Sequence, residues 1–113
     1  MSQFILFIRG GDPDELRTPE EIQQSIARYR SWAGALTQQN KLVSAFKLKD
    51  DGGRIMSGSN GQIALDGPFA ETKETIGGYF VIEAADYAEV TQLAHSCPVF
   101  ANGGVLEVRQ IEL

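Results

Sequence analysis

The sequence predicts a single α+β domain that is built from one sheet and two helices. Three observations support this prediction. The chain has 113 residues, of which 42% are hydrophobic, and this is the size of one compact core. Short apolar runs that are typical of strands alternate with two stretches in which apolar residues recur every three or four positions, as in amphipathic helices. Glycine, proline, asparagine and aspartate cluster between these segments and predict turns.

The first strand and the first helix are the clearest elements of the N-terminal half. The apolar run from Gln3 to Arg9 predicts a buried strand. A helix is predicted to begin at Pro19, because Thr18 and Glu21 have the spacing of a capping box and proline suits the first helical position. We expect this helix to reach about Asn40 and to pack through one apolar face, which consists of Ile22, Ile26, Tyr29, Ala33 and Leu36.

The middle of the chain predicts shorter strands. Leu42 to Lys49 predicts a second strand, and the turn formers Asp50 to Gly53 predict a hairpin with the residues that follow. Arg54 to Ser57 and Gln62 to Leu65 are short and partly polar, with the turn formers Gly58 to Gly61 between them. We expect these two strands at a sheet edge or in an inserted hairpin.

The C-terminal half repeats the order strand, helix, strand. Gly77 to Glu83 predicts a strand, because it is rich in β-branched and aromatic residues. Asp86 lies three residues before Glu89 and predicts the start of a helix from Tyr87 to Ser96. The alternating residues from Val105 to Leu113 predict a closing strand with two unlike faces.

This order of elements is the ferredoxin-like split βαβ plan with an inserted β-hairpin. Two helices cover only one face of a four-stranded sheet, so its opposite apolar face needs cover from elsewhere. A second copy of the chain would supply it, since closed two-fold pairing is the commonest form of assembly. We therefore expect a homodimer, a dimeric α/β barrel with a cleft between the two sheets.

The composition excludes several classes of function. The net charge of -5 opposes direct binding to nucleic acid or to an anionic membrane surface. The apolar run Phe4 to Ile8 is too short for a signal-peptide core or a membrane span. Cys97 is the only cysteine, so the chain forms no internal disulfide and a cytoplasmic location is expected. We expect no metal and no cofactor, because one histidine and one cysteine do not specify a metal site.

Acidic, basic and turn-forming residues crowd a segment directly before the strand that begins at Gly77. This segment reads Asp66-Gly67-Pro68-Phe69-Ala70-Glu71-Thr72-Lys73, and the motifs Gly77-Gly78-Tyr79-Phe80 and Ala94-His95-Ser96-Cys97-Pro98 follow it. Together they resemble the signature of the DGPF, or YCII-related, family. The resemblance implies a dimeric α/β barrel and a family whose activity is largely unassigned. It also implies a sigma factor as a candidate partner, because relatives occur alone or in association with extracytoplasmic-function sigma factors.

The charged segment suggests chemistry. In a sheltered cleft, desolvation would raise the pKa of one carboxylate and make it a proton acceptor, while a lysine would stabilise an oxyanion. The catalytic candidates are Asp66, Glu71 and Lys73, and the ligand-binding candidates are Arg9, Phe69 and Glu74. The alternative is structural: the charges form a solvated set, the Asp66 carboxylate fixes the turn, and Phe69 enters the core.

Other candidate residues are weaker. His95 and Cys97 lie two positions apart on a helix and therefore point to different sides, which argues against a base and nucleophile pair. For His95 we favour a role at the helix end or in a dimer contact. Some members of the resembled family pair a histidine on the first helix with an aspartate, but residues 19–40 contain no histidine. Tyr29 and Trp32 either line a pocket or belong to the core.

Three functions remain open. The first is a small dimeric protein that binds a small polar or acidic metabolite in the cleft between the sheets, with acid/base catalysis as an extension. The second is a non-catalytic regulatory or protein-interaction module that contacts a sigma factor. The third is a purely structural dimer. A concave, partly apolar cavity of about a few hundred cubic ångströms would favour the first function.

Overall fold

The computed structural model describes residues 1–11, 17–49, 52–66 and 76–113, with the backbone alone at 64–66. The elements in chain order are β1 (Ser2–Gly10), α1 (Pro19–Gln38), β2 (Leu42–Lys47), β3 (Ile55–Ser59), β4 (Gln62–Asp66), β5 (Ile76–Ala84), α2 (Tyr87–Ala94), a 3-10 helix (Pro98–Asn102) and β6 (Gly104–Gln110). Four strands form an antiparallel sheet in the order β2-β5-β1-β6. This arrangement confirms the α+β, ferredoxin-like prediction.

Both helices begin as the sequence predicted. Thr18 caps α1, because its side chain accepts a hydrogen bond from the Glu21 amide at 3.1 Å and the Glu21 carboxylate accepts one from the Thr18 amide at 3.4 Å. In α2 the Asp86 side chain accepts from the Glu89 amide at 2.9 Å. This helix ends at Ala94 rather than Ser96, since the residue before a proline is restricted and Cys97 is already extended before Pro98.

The prediction that the second strand forms a hairpin with the residues that follow it is wrong. Strand β2 pairs with β5, and β3 pairs with β4 in a separate two-stranded sheet. The turn between β3 and β4 explains this outcome, because Asn60 and Gly61 both have positive φ, at 52° and 79°. Two such residues fit the tight turn that matches the twist of a hairpin. The inserted hairpin therefore forms locally, and β2 joins the main sheet.

The core lies between the two helices and one face of the sheet. Phe4, Leu6 and Ile82 are fully buried on this helix-covered face. The ring of Trp32 meets Phe80 edge to face at 4.8 Å, and its indole N–H donates to the Leu93 carbonyl at 3.3 Å. Trp32 is therefore a core residue that joins α1 to α2.

The buried face of α1 differs by part of a turn from the predicted one. Ile26 is 40% exposed, whereas Ser25 and Trp32 are buried with Leu36. The indole explains the difference, because the largest side chain of the helix fills the space against Phe80 and also satisfies its N–H there.

The opposite side of the main sheet, which we call the outer face, carries Ile5, Phe7, Tyr79, Val81 and Phe46 on neighbouring strands. Val81 is buried but lies outside the core cluster, as expected for a residue on this other side. The Phe46 and Tyr79 rings lie 5.8 Å apart, and Phe46 remains 64% exposed. Both described helices pack on the helix-covered face, so neither covers the outer one.

Candidate functional site

A pocket of about 420 Å³ opens between the N-terminal half of α1 and one end of the sheet. Its volume is within the range of small-molecule sites, which are typically about 300–1,000 Å³. The sheet contributes the C-terminal end of β1, the start of β5 and the end of β2, and the 3-10 helix closes one side. The pocket is on the helix-covered face, within one subunit.

The floor of the pocket is apolar and partly built from backbone. Ile8, Ala45 and Phe80 present hydrocarbon from three adjacent strands, and Val99 adds it from the 3-10 helix. Gly78 lies between them, and a Cβ atom there would be only 2.8 Å from the Phe46 carbonyl oxygen. Glycine is therefore required where β2 and β5 approach each other, and it leaves this part of the floor without a side chain.

Two hydroxyl groups lie on the α1 wall, from Ser25 and Tyr29, which are one helical turn apart. The Tyr29 ring stacks on Phe80 with 6.1 Å between centroids and 13° between planes. Burial raises the pKa of the Tyr29 phenol well above its ordinary value, Cys97 acts in the same direction once its thiol ionises, and Arg17 opposes both. At neutral pH Tyr29 therefore keeps its proton and is a hydrogen-bond donor.

Positive charge surrounds this apolar interior. Arg17, Arg30 and Lys47 line the pocket, and no acidic side chain within the described ranges does. Arg17 also donates to the Glu21 carbonyl at 3.3 Å, and Lys47 to the Leu48 carbonyl at 3.2 Å. The Arg30 side chain therefore places a cation at the pocket of a chain whose net charge is -5. A cationic side chain at a pocket attracts an anionic group.

Of the predicted ligand-binding residues, Arg9 is the one whose side chain is described. It lies on the outer face, where its guanidinium pairs with the Glu107 carboxylate at 2.9 Å, and it does not line the pocket. Strand alternation explains this placement, because Ile8 points toward α1 and the next residue points away. A ligand role for Arg9 in a cleft between two subunits stays a prediction.

The other predicted residues fall on the charged segment. The backbone of Asp66 ends β4, where it pairs with Ile55. The four remaining candidates, Phe69, Glu71, Lys73 and Glu74, lie outside the described residues. The strand that follows them, β5, begins at Ile76, and both Gly77 and Gly78 line the pocket.

His95 and Cys97 differ in exposure. His95 is exposed and is the C-cap residue of α2, the helix-end position that was favoured for it. Cys97 is buried, and burial raises the pKa of its thiol, so it is a poor nucleophile. The described residues contain no group of three or more metal-binding side chains. No described helix is long and apolar enough to cross a membrane.

The pocket itself was not predicted from the sequence, which placed the ligand between two sheets. Tyr29 was recognised as a candidate pocket residue, but Ser25, Arg17, Arg30 and Lys47 were not. One sequence feature of α1 could have indicated the pocket, because Ser25 and Tyr29 place hydroxyl groups on its buried face. Polar groups on a buried helix face need partners, and a bound molecule is one source of them.

The fold and the pocket define a ferredoxin-like α+β domain with a ligand-sized cavity between its first helix and its sheet. The chain belongs to the YCII-related domain family, whose model matches residues 3–113, and this confirms the resemblance at the level of that family. A search of curated proteins finds no match.

Among solved structures, the chain is similar to 5-chloro-2-hydroxyhydroquinone dehydrochlorinase from Burkholderia phenoliruptrix AC1100, in complex with 2,5-dihydroxybenzoquinone. The two are 17% identical with a TM-score of 0.51, and the match covers 97% of this chain and 93% of the other. At this identity the likeness shows the shared fold.

Proposed function

We propose that this protein binds a small acidic metabolite with an apolar body in the pocket between α1 and the sheet. The observation that carries the proposal is that the Arg30 guanidinium and the hydroxyl groups of Ser25 and Tyr29 border an apolar cavity of about 420 Å³. A guanidinium binds carboxylate or phenolate oxygens through charge-assisted hydrogen bonds. The body of the ligand would displace water from Phe80 and its neighbours, which is favourable in proportion to the apolar area removed from water.

The hydroxyl groups of Ser25 and Tyr29 would orient such a ligand. Tyr29 remains protonated and donates a hydrogen bond, while Ser25 both donates and accepts. The flat stack of Tyr29 on Phe80 also offers an aromatic wall to a planar ligand. The dehydrochlorinase of similar fold is known in complex with 2,5-dihydroxybenzoquinone, a planar ring with ionisable hydroxyl groups, and this supports the same class of ligand here.

Acid/base catalysis by Asp66, Glu71 and Lys73 is the further part of the proposal. Its support is chain connectivity, because these residues precede β5 and its residues Gly77 and Gly78 line the pocket. Asp66→Asn and Lys73→Ala would lower turnover without lowering ligand affinity in proportion. Asp66→Ala is the control for folding, since loss of a turn acceptor imitates loss of activity.

The protein is proposed to act as a homodimer that is joined through the outer faces of its sheets. The outer face presents the Phe46 and Tyr79 rings, and Val105 there is 52% exposed. No feature of the described residues favours the alternative of a sigma-factor-binding module, and that alternative stays a prediction, as does the cytoplasmic location.

The ligand proposal is tested by calorimetry and thermal shift with benzoate, 2,5-dihydroxybenzoquinone and benzamide, the last being a neutral relative of benzoate. The two acidic compounds are expected to raise the melting temperature as their concentration rises, and benzamide is not. Arg30→Gln is expected to weaken the binding of the acidic compounds about tenfold, which corresponds to about 1.4 kcal/mol. The matched control is Arg28→Gln, an exposed residue of the same helix that does not line the pocket.

Two results would contradict the proposal. One is equal binding of benzoate and benzamide, which would show that the cations do not select the ligand. The other is an equal effect of Arg28→Gln and Arg30→Gln, which would show that the anions bind to the surface of α1 rather than in the pocket.

A further inference from the structure

We propose that the β3–β4 hairpin is an arm that docks on a second copy of this chain. The inference rests on the proposed homodimer and assigns a part of its interface that lies outside the main sheet. It starts from the isolation of the hairpin: β3 and β4 pair with each other, and neither pairs with a strand of the four-stranded sheet. A lone two-stranded hairpin is only marginally stable in water, so it needs a surface to pack on.

The register of the hairpin places two exposed apolar side chains on one side, which we call the apolar side, and Ile55 with mainly polar residues on the other, the polar side. Gly58 lies opposite Ile63, and Met56 is two residues before Gly58, so Met56 and Ile63 are diagonal neighbours on one side. Ser59 pairs with Gln62 on the other side. Met56 is 63% exposed and Ile63 is 69% exposed. Among residues 1–11, 17–49, 52–63 and 76–113, little covers the apolar side of the hairpin within one subunit.

The position of the arm and the area of the sheet both favour a second copy as the occupant. The hairpin follows β2, an edge strand of the sheet, and Phe46 at that edge exposes its ring on the outer face. Four strands of this length present a flat area of roughly 500 Å². Each partner in a standard interface buries about 800 Å². A sheet of this flat area makes a modest interface, and an apolar arm at the edge of each subunit extends the contact.

Two-fold symmetry makes the arrangement self-consistent. The described part of each subunit leaves both the outer face and the apolar side of the hairpin exposed, so one closed pairing covers all four surfaces at once. A different protein partner would have to be complementary to both the outer face and the apolar side of the hairpin. Its binding would also prevent the chain from pairing with a second copy.

Hydrogen exchange of the unaltered protein gives the first test. Sedimentation velocity establishes the concentration range over which dimer and monomer exchange. Amides of Met56 to Ile63 that are hydrogen-bonded in the hairpin are expected to exchange at least tenfold more slowly in the dimer than in the monomer. Helix α1 packs on the core of its own subunit, so its hydrogen-bonded amides serve as the internal control, with rates expected to agree within about twofold.

The second test weakens the apolar side with the double variant Met56→Thr and Ile63→Thr, in which threonine keeps a strand-forming side chain. Because symmetry places each substitution in the interface twice, the dimer dissociation constant is expected to rise at least tenfold. Ser59→Thr and Gln62→Thr on the polar side form the matched control, which is expected to leave that constant within about twofold. Trp32 fluorescence reports whether the core of each variant is intact, since Trp32 is buried in that core and is not part of the hairpin.

The outcomes separate this inference from the proposal on which it rests. A wild-type protein that is monomeric at every concentration would overturn the dimer and the arm together. A dimer whose dissociation constant is unchanged by the double variant, and whose hairpin amides exchange at the monomer rate, would overturn the arm alone.

Discussion

The two faces of the main sheet are made by the same four strands, yet the described helices close only one of them. On the helix-covered face Phe4, Leu6 and Ile82 are fully buried beneath α1 and α2. On the outer face Phe46 and Val105 remain more than half exposed. The side chains differ as well as their exposure, because the outer face mixes aromatic rings with the Arg9–Glu107 ion pair.

This difference shows that the two faces of the sheet are suited to different roles. The helix-covered face is aliphatic and aromatic in its core, and the pocket of about 420 Å³ lies at one end of it, where glycines replace side chains. The outer face has the composition of an interface, since aromatic residues and arginine are enriched in protein contacts. The folding core and the proposed assembly surface are therefore two sides of the same strands.

The largest expected effect compares Leu6→Ala with Ile5→Ala, adjacent residues of β1 on opposite faces. Leu6→Ala removes a fully buried side chain and leaves a cavity, so the free energy of unfolding should fall by about 3 kcal/mol. Ile5→Ala should lower it by less in the monomer, and its main effect should be a weaker dimer. Urea unfolding at monomer concentrations, followed through Trp32 fluorescence, measures both. Equal losses in the monomer would mean that the outer face is already covered within one subunit.

The order of elements and the helix starts were predictable from the sequence, because both depend on local patterns. Thr18 and Glu21 form the expected capping box, and Asp86 caps α2. The pairing of β2 was not predictable from local patterns, because its partner β5 is distant in the chain. The turn-forming residues directly after β2 favoured pairing with the next strand instead. The rotation of α1 depended on where one indole fits, which is a property of packing rather than of periodicity.

The intermediate effect compares the same substitution at two glycines. Gly78→Ala places a methyl group 2.8 Å from the Phe46 carbonyl oxygen, a backbone atom, and should lower the free energy of unfolding by about 2 kcal/mol. Gly34→Ala adds a methyl group with nothing within 4 Å on an exposed part of α1, and should raise it by up to about 1 kcal/mol. Thermal or urea unfolding distinguishes the signs. An unchanged free energy of unfolding for Gly78→Ala would show that β2 shifts away from β5 readily and that the pocket floor deforms at little cost.

The candidate site was less predictable than the fold for a physical reason. Its cations come from α1, from the residues before α1 and from the end of β2, and each alone reads as an ordinary exposed charge. They become a site only when the sheet brings these elements together. Arg9 was proposed for a cleft between two sheets; strand alternation directs its side chain to the outer face, and a ligand role there stays a prediction.

The smallest expected effect compares two ion pairs among the described residues, one associated with each face. The Lys41 ammonium lies 3.0 Å from the Glu89 carboxylate, and this hydrogen bond, together with one from the Ala85 amide, lowers the pKa of Glu89. A carboxyl group with a lowered pKa in the folded state stabilises the fold above its unfolded pKa, and that contribution is lost as the pH falls through the folded pKa. Glu89→Gln should therefore be less stable than wild type at pH 7, and the difference should shrink under acid conditions.

The counterpart on the outer face is Glu107→Gln, which removes the carboxylate that pairs with Arg9. Its effect should fall on dimer formation, because an arginine without its partner is costly to bury in an interface. Urea unfolding from pH 7 to pH 3 measures the first variant, and sedimentation velocity measures the second. A gap between wild type and Glu89→Gln that stays constant across this pH range would show that the Lys41 contact acts through packing, since only a charge effect disappears when the carboxylate is protonated.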